Sequence, residues 1–211
     1  MRIVKIEAYD DNKGFYKVFN EEGYLLSLPK EIIKSFNLLE GQEIDAAKLN
    51  EINEAYLVRR ARERMLYSLD RRAHSKKELI EKLKKDYPIK IIEKAILKLE
   101  SLGLVNDFEF ARAYASDLFN IKKKGQLYIK NALFKKGIDK SICDEVLGEL
   151  FCDNDIEAQN ALDFLKKKNA DLTSYEGKNK AYAQLIRRGF SYESAKRAMR
   201  LFCADEEFYE D

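Results

Sequence analysis

Cysteine, histidine, proline and glycine are all scarce in this 211-residue chain, which holds three, one, two and nine of them. The cysteines, Cys143, Cys152 and Cys203, are odd in number and form no C-x-x-C pair. That excludes a disulfide framework, argues against a zinc site and fits a reducing compartment. With His74 as the lone histidine, no Cys/His or Ser/His/Asp arrangement can be built. His74 stands in a helix connection and is expected at the surface. Cys143 is expected at the edge of a core, as a small packing residue. Nine glycines and two prolines are too few for a long flexible linker or for an all-β fold rich in tight turns.

Catalytic and membrane signatures are missing as well. No P-loop, G-x-G-x-x-G or H-E-x-x-H occurs. Asp153-Asn154-Asp155 begins like a calcium loop but lacks the following Gly and distal Glu, so it reads as an acidic helix start. No apolar run approaches the roughly 18 residues of a membrane span. The first residues, Met1-Arg2-Ile3-Val4-Lys5, lack the apolar stretch of a signal peptide. These absences predict a non-enzymatic cytoplasmic protein without metal, cofactor or membrane contact.

Apolar residues make up 45% of the chain, enough for a buried core, and charged residues 36%, more than a compact ball needs. The excess charge favours an extended array. Net charge is only +2, yet residues 51–204 hold 32 basic residues against 23 acidic ones, an excess of nine. Such an imbalance suits an acidic protein surface or nucleic acid.

Residues 1–46 read as a small β-rich module. Val4, Ile6 and Ala8 alternate with Lys5 and Glu7, as in a strand. A turn over 10–14, a strand over 15–19, a turn over 21–23 and a strand over 24–28 complete a meander. Pro29 opens a short helix through Phe36, and 43–45 is a last extended piece. A module of this size is marginal alone and is expected to pack on the helical region that begins after residue 46.

Beyond residue 46 the pattern is helical and repeats. Leu83, Leu133 and Leu185 align at offsets of about 50 residues, as do Leu79, Ile129 and Ala181. Ile92, Ile142 and Ser194 align, then Ile96, Val146 and Ala198, then Leu97, Leu147 and Met199. One helix earlier, Ala61, Ala111 and Ala161 coincide. The fold class is therefore mostly α, three tandem three-helix repeats over 47–103, 104–152 and 153–204, followed by an acidic tail over 205–211. The nine helices are expected at 51–70, 76–86, 89–102, 107–121, 126–136, 139–151, 154–169, 176–188 and 192–203. Ser75 and Glu78 form a capping box. Asp107, Asp139 and Ser191 are further expected caps, and Gly137 and Gly189 expected helix stops, with Tyr87-Pro88 ending the second helix of the first repeat.

Two sets of residues invite a partner. Opposite the stripe Ala55, Val58, Ala61, Met65 and Leu69, the first long helix presents Arg60, Arg64, Tyr67 and Arg71, spaced 4, 3 and 4, with Arg72 beside them. Guanidinium groups in a row suit phosphates or carboxylates. The same row also fits a solvated face whose long stems cover apolar surface. Paired bases close each second helix: Lys84-Lys85, Lys135-Lys136 and Arg187-Arg188. They suit an acidic partner, and equally the negative end of a helix dipole.

Several stretches resemble the RecX family, regulators of the RecA recombinase. Residues 69–83, LDRRAHSKKELIEKL, are similar to that family's L-x-x-R-x-x-S-x-x-E-L-x-x-K-L. Residues 103–111, GLVNDFEFA, resemble its G-[LY]-[LIV]-[ND]-D-x-x-F-A. Lys124-Gly125, Ile129, Leu133 and Lys136-Gly137-Ile138 resemble a third motif, and Arg187-Arg188-Gly189-Phe190 a fourth. The resemblance implies a protein that binds RecA and the groove of the RecA–single-stranded DNA filament and lowers ATPase and strand exchange; some members of the family also bind DNA weakly. A monomer is expected. It also implies that residues 1–46 are the β-rich extension of some RecX proteins. The alternative is a nucleic-acid-binding helical module that uses the same basic faces.

Overall fold

The computed structural model describes residues 1–10 and 14–207. The centre of the turn expected at 10–14 and the end of the acidic tail expected over 205–211 lie outside the described residues. The chain divides into two compact units, Met1–Arg72 with Ile80–Leu104, and Ala73–Leu79 with Val105–Asp211.

In the first unit, β1 (Ile3–Asp10), β2 (Phe15–Asn20) and β3 (Gly23–Pro29) form an antiparallel sheet in the order β1-β2-β3. Ile6 pairs with Val18 and Val18 with Leu26, so one face is continuously apolar. Helix α1 (Lys30–Ser35) follows Pro29, whose fixed φ suits a helix entrance and whose missing amide leaves nothing unsatisfied there. Residues 41–44 run beside the start of β1: Ile3 donates to the Gln42 carbonyl at 2.9 Å, and Ile44 to that of Met1 at 2.9 Å.

Helix α2 (Ala46–Leu69) begins five residues before the expected start at 51. Asp45 is the reason, because its carboxylate accepts the Lys48 amide at 2.6 Å. The early start has a packing purpose. Ile52 joins Ile3, Val18, Leu28, Ile32, Leu38 and Ile44 in one core, so the sheet rests on α2 as expected of a module too small to stand alone. The rest of the first repeat is α3 (Lys76–Leu83) and α4 (Ile89–Glu100). Helix α3 ends three residues earlier than expected, with Asp86 and Tyr87 both donating to the Leu83 carbonyl ahead of Pro88.

The second and third repeats comprise α5 (Asp107–Ser116), α6 (Gln126–Lys135), α7 (Lys140–Leu150), α8 (Asn154–Lys167), α9 (Tyr175–Arg187) and α10 (Tyr192–Glu207). A π turn, Asp117–Ile121, continues α5. The described residues thus hold nine repeat helices besides α1. Every aligned set but one is buried at most positions: Ala61, Ala111 and Ala161 are fully inside, as are Leu83, Leu133 and Leu185. Leu97 departs from its set and is exposed, whereas its counterpart Leu147 is buried.

The caps hold with two corrections. Ser75 and Glu78 exchange the reciprocal bonds of a capping box, and Ser191 accepts the Ser194 amide at 3.1 Å. Gly137 and Gly189 have φ of 79° and 85°, the left-handed region that ends a helix without strain in glycine. Asp139 stands at the start of α7 without a side-chain cap bond. Asn106, not Asp107, caps α5, accepting the Phe108 amide at 2.9 Å. Asp107 is turned to another helix and accepts the Lys76 amide at 2.9 Å.

Within the second unit, this outward contact recurs one repeat on. Glu157, 50 residues after Asp107, accepts the Gln126 amide at 2.9 Å. Ser75 Oγ donates to the Lys136 carbonyl at 2.7 Å, and at the matching place the Gly125 amide donates to the Arg188 carbonyl at 3.0 Å. The second contact is so close that a Cβ on Gly125 would lie 2.3 Å from the Gly189 carbonyl carbon. The starts of α3 and α6 are therefore each fastened to the next repeat in two places, by a carboxylate from its first helix and through the end of its second.

Candidate functional site

The outward stripe of α2 exists because Ala61 and Met65 face inward and are fully buried. At 100° per residue, Arg60, Arg64, Tyr67 and Arg71 then project from the other side, and all four are exposed. With Lys82 from α3 they line an open groove of about 500 Å³. Arg71 lies over the Tyr67 ring at 4.6 Å and donates to its hydroxyl. Arg60 stands 5.9 Å from the Tyr56 ring. Arg64 bonds Asp86 at 2.5 Å, so part of its charge is spent within the chain. The one carboxylate lining the groove, Glu63, is held by Arg59 at 3.0 Å. The groove thus gathers three arginines and a lysine beside an aromatic ring, a set that accepts carboxylates or phosphates in a fork geometry.

The structure separates the other proposed contact residues into two groups. Lys85, Lys135 and Arg187 are exposed, and so is Lys84, which pairs with Glu81. Arg72, at the end of the α2 stripe, is exposed but does not line the groove. Lys136 and Arg188 are half-buried and engaged. Lys136 bonds Glu78 at 2.6 Å and lies 5.4 Å from the Tyr114 ring. Arg188 covers the Phe164 ring at 4.2 Å and donates to the carbonyls of Lys122 and Lys123. Burial pulls the Arg188 pKa below its ordinary value. The Lys124 ammonium sits 3.9 Å from the Tyr128 ring; burial, then the positive charges of Arg188 and Lys122, lower its pKa. Each pair therefore presents one residue to the outside in the second and third repeats and spends the other on the junction.

Sequence reasoning missed Lys82 and the second groove. Lys82 reaches the α2 stripe from a separate helix, and no local spacing announces such a meeting. Tyr114, Tyr128, Asn131, Lys135 and Lys136 line another opening of about 310 Å³ between α5 and α6. Its aromatic members carry no periodic signal distinct from core packing.

Two expectations about reactive residues are corrected. His74 is buried, 4% exposed, because the capping box beside it draws the connection into the fold. Cys143 lies fully inside the core with Ile129, Leu133 and Val146 rather than at its edge, and burial raises its thiol pKa. Among the described residues no three His, Cys, Asp or Glu side chains gather into a metal-binding group. No described helix is long and apolar enough to cross a membrane.

A three-stranded sheet followed by tandem three-helix repeats, with cationic grooves between their first and second helices, defines a helical-repeat protein with an N-terminal β extension. Residues 61–99 match the family model for the first three-helix domain of RecX, and residues 106–147 that for the second. The regulatory protein RecX of Clostridioides difficile is 31% identical over 98% of both chains. That of Listeria welshimeri is 30% identical over 94% of this chain and 74% of its own. A crystal structure of regulatory protein RecX superposes with a TM-score of 0.74 at 26% identity, covering 92% of this chain and 97% of that one. RecX from Lactobacillus salivarius gives 0.62 at 26% identity over 71% of this chain and 99% of its own. The chain belongs to the RecX family.

Proposed function

We propose that this protein regulates the RecA recombinase. It binds RecA and the RecA–single-stranded DNA filament and lowers ATPase and strand exchange in recombination and DNA repair. The match to a protein named regulatory protein RecX along 98% of both chains carries the reading. The groove of Arg60, Arg64, Tyr67 and Arg71 supports it with a chemistry for gripping acidic side chains on the partner. Arg72, Lys84, Lys85, Lys135 and Arg187 extend the contact. The protein works in the cytoplasm as a monomer and needs neither cofactor nor catalytic step, since occupying a filament end or groove is enough to stop many subunits.

The decisive experiment titrates the protein into RecA turning over ATP on single-stranded DNA. Substoichiometric protein is expected to lower the rate. An unchanged rate with the protein in clear excess would sink the proposal. Replacing Arg60, Arg64 and Arg71 by Glu is expected to abolish inhibition and filament binding, because attraction becomes repulsion. Stability is expected to move little, about 0.5 kcal/mol or less per exposed site. A triple variant that still inhibits like the parent would move the contact elsewhere.

A further inference from the structure

The outer face of the N-terminal sheet carries a cluster of aromatic rings and lysines. Register places Lys5 opposite Phe19, and Phe19 opposite Tyr24. One step along, Glu7 pairs with Lys17 and Lys17 with Ser27, on the same face. Irregularities between Ala8 and Asp10 and between Val18 and Phe19 break strict alternation there. Tyr9 falls in the first of these and lies under the Lys17 ammonium at 4.2 Å, which fixes its ring on this face. Phe19 and Tyr24 meet edge to face at 6.0 Å, and the Tyr24 hydroxyl is anchored to Ser27 Oγ at 3.0 Å. Lys5 stands 6.0 Å from the Phe19 ring and is paired with Glu7. Tyr9 and Tyr24 are 63% and 59% exposed, so their rings are open to a ligand.

We infer that this face is a binding site for single-stranded nucleic acid, on which unpaired bases stack against Tyr9, Phe19 and Tyr24 while Lys5 and Lys17 meet the phosphates. Three features favour this occupant over a protein one. The rings lie on neighbouring strands of a rigid sheet, and bases stack on such platforms without sequence preference because each has a π face. The cations lie within about 6 Å of the rings, Lys17 over Tyr9 at 4.2 Å and Lys5 at 6.0 Å from Phe19, so a backbone following the bases passes them. The carboxylates beside this face are engaged within the module, Glu7 with Lys5 and Glu40 as acceptor of the Ile6 amide at 2.7 Å. This site is separate from the α2 groove and does not depend on RecA.

The test uses the full-length protein, no RecA, and a short fluorescein-labelled oligothymidylate read by anisotropy. The wild-type chain is expected to bind, and to weaken as salt rises, with a log–log slope near −1 for one to two phosphate contacts at about −0.7 each. Tyr9→Ala with Tyr24→Ala is expected to weaken binding by roughly fivefold or more per ring. Tyr9→Phe with Tyr24→Phe is expected to bind like wild type, since the π face remains. The Arg60, Arg64 and Arg71 to Glu variant is also expected to bind like wild type. Photocrosslinking an iodouracil-substituted probe to wild-type protein is expected to mark Tyr9, Phe19 or Tyr24, and this arm stands even if the alanine variant misfolds. No binding by wild type, crosslinks only outside the sheet, undiminished binding by a folded alanine variant, or loss confined to the arginine variant would each overturn the site. Loss of RecA inhibition in the alanine variant with probe binding intact would make the face a protein contact and overturn it too. A protein that binds the probe through the sheet yet leaves RecA ATPase untouched would fail the proposed function while keeping this inference.

Discussion

The amide of Gln126 at the start of α6 donates to the carboxylate of Glu157 in α8 at 2.9 Å. Glu157 belongs to the following repeat, so one helix is capped by a residue 31 positions away in sequence. Its other oxygen accepts from Ser191 Oγ at 2.8 Å and from the Ser191 amide at 3.4 Å, at the start of α10. One buried carboxylate thereby satisfies the free donors of two helix beginnings.

Glu157→Ala is expected to destabilise the protein by about 2–3 kcal/mol, because several donors lose their acceptor in a place water reaches poorly. Asp107→Ala removes the acceptor of the Lys76 amide and is expected to lose about 1 kcal/mol or more. Melting curves measure both, and Glu157→Ala is expected to fall by about 5–10 °C. An unchanged midpoint in Glu157→Ala would contradict the junction role.

Lys135 and Lys136 are neighbours with opposite duties. Lys136→Ala removes the bond to Glu78 and the contact over Tyr114, and is expected to lower stability by about 1–2 kcal/mol. Lys135→Ala removes an exposed charge and is expected to change stability by less than about 0.5 kcal/mol. Urea unfolding of the two single variants distinguishes them, and equal midpoints would refute the division.

Asp171 accepts from the Thr173 hydroxyl at 2.6 Å, the Thr173 amide at 2.9 Å and the Ser174 hydroxyl at 2.9 Å. The Thr173 hydroxyl, followed by the Thr173 amide and Ser174, holds its pKa down from 3.8 to about 2. A depressed carboxylate stabilises the folded state fully above its unfolded pKa, and the contribution is lost as pH falls through the folded value. Asp171→Asn is therefore expected to be less stable than wild type at neutral pH, with the gap narrowing between about pH 4 and pH 2. Thermal melts across that range would show a constant gap if the three bonds do not favour the carboxylate.

The cysteines should report burial through chemistry. Cys152 is exposed and Cys143 is inside the core with a raised pKa. A thiol reagent near pH 8 is expected to modify Cys152 first and Cys143 only after denaturant is added. Mass mapping of early products follows the order, and early modification of Cys143 would contradict the packing around α7.

The repeat framework was legible because its signal is local and multiplied: Ala61, Ala111 and Ala161 occupy one place three times, and each is fully buried. The start of α2 was not, since Leu49 and Ile52 belong to the sheet's core and not to the helical repeat pattern that located the other helices. Asp107 read as a cap for its own helix because capping rules look a few residues ahead, whereas its partner Lys76 lies 31 residues behind. The α2 stripe was visible from its 4, 3, 4 spacing, which a helix turns into one face. The ion pair between Arg64 and Asp86, the arrival of Lys82 and the burial of Arg188 against Phe164 depend on neighbouring helices that spacing does not encode.

Gly125 and Gly189 meet through main chain alone. Whatever replaces Gly125 must push its first carbon into the Gly189 carbonyl and the Phe190 amide, both at 2.3 Å, and both are main-chain atoms that no smaller side chain would move aside. Compensation between the two positions is therefore closed off. In a library randomised at residue 125, folded survivors should return glycine whatever is changed elsewhere, so this joint tolerates no drift from either side even while the helices around it exchange one apolar residue for another.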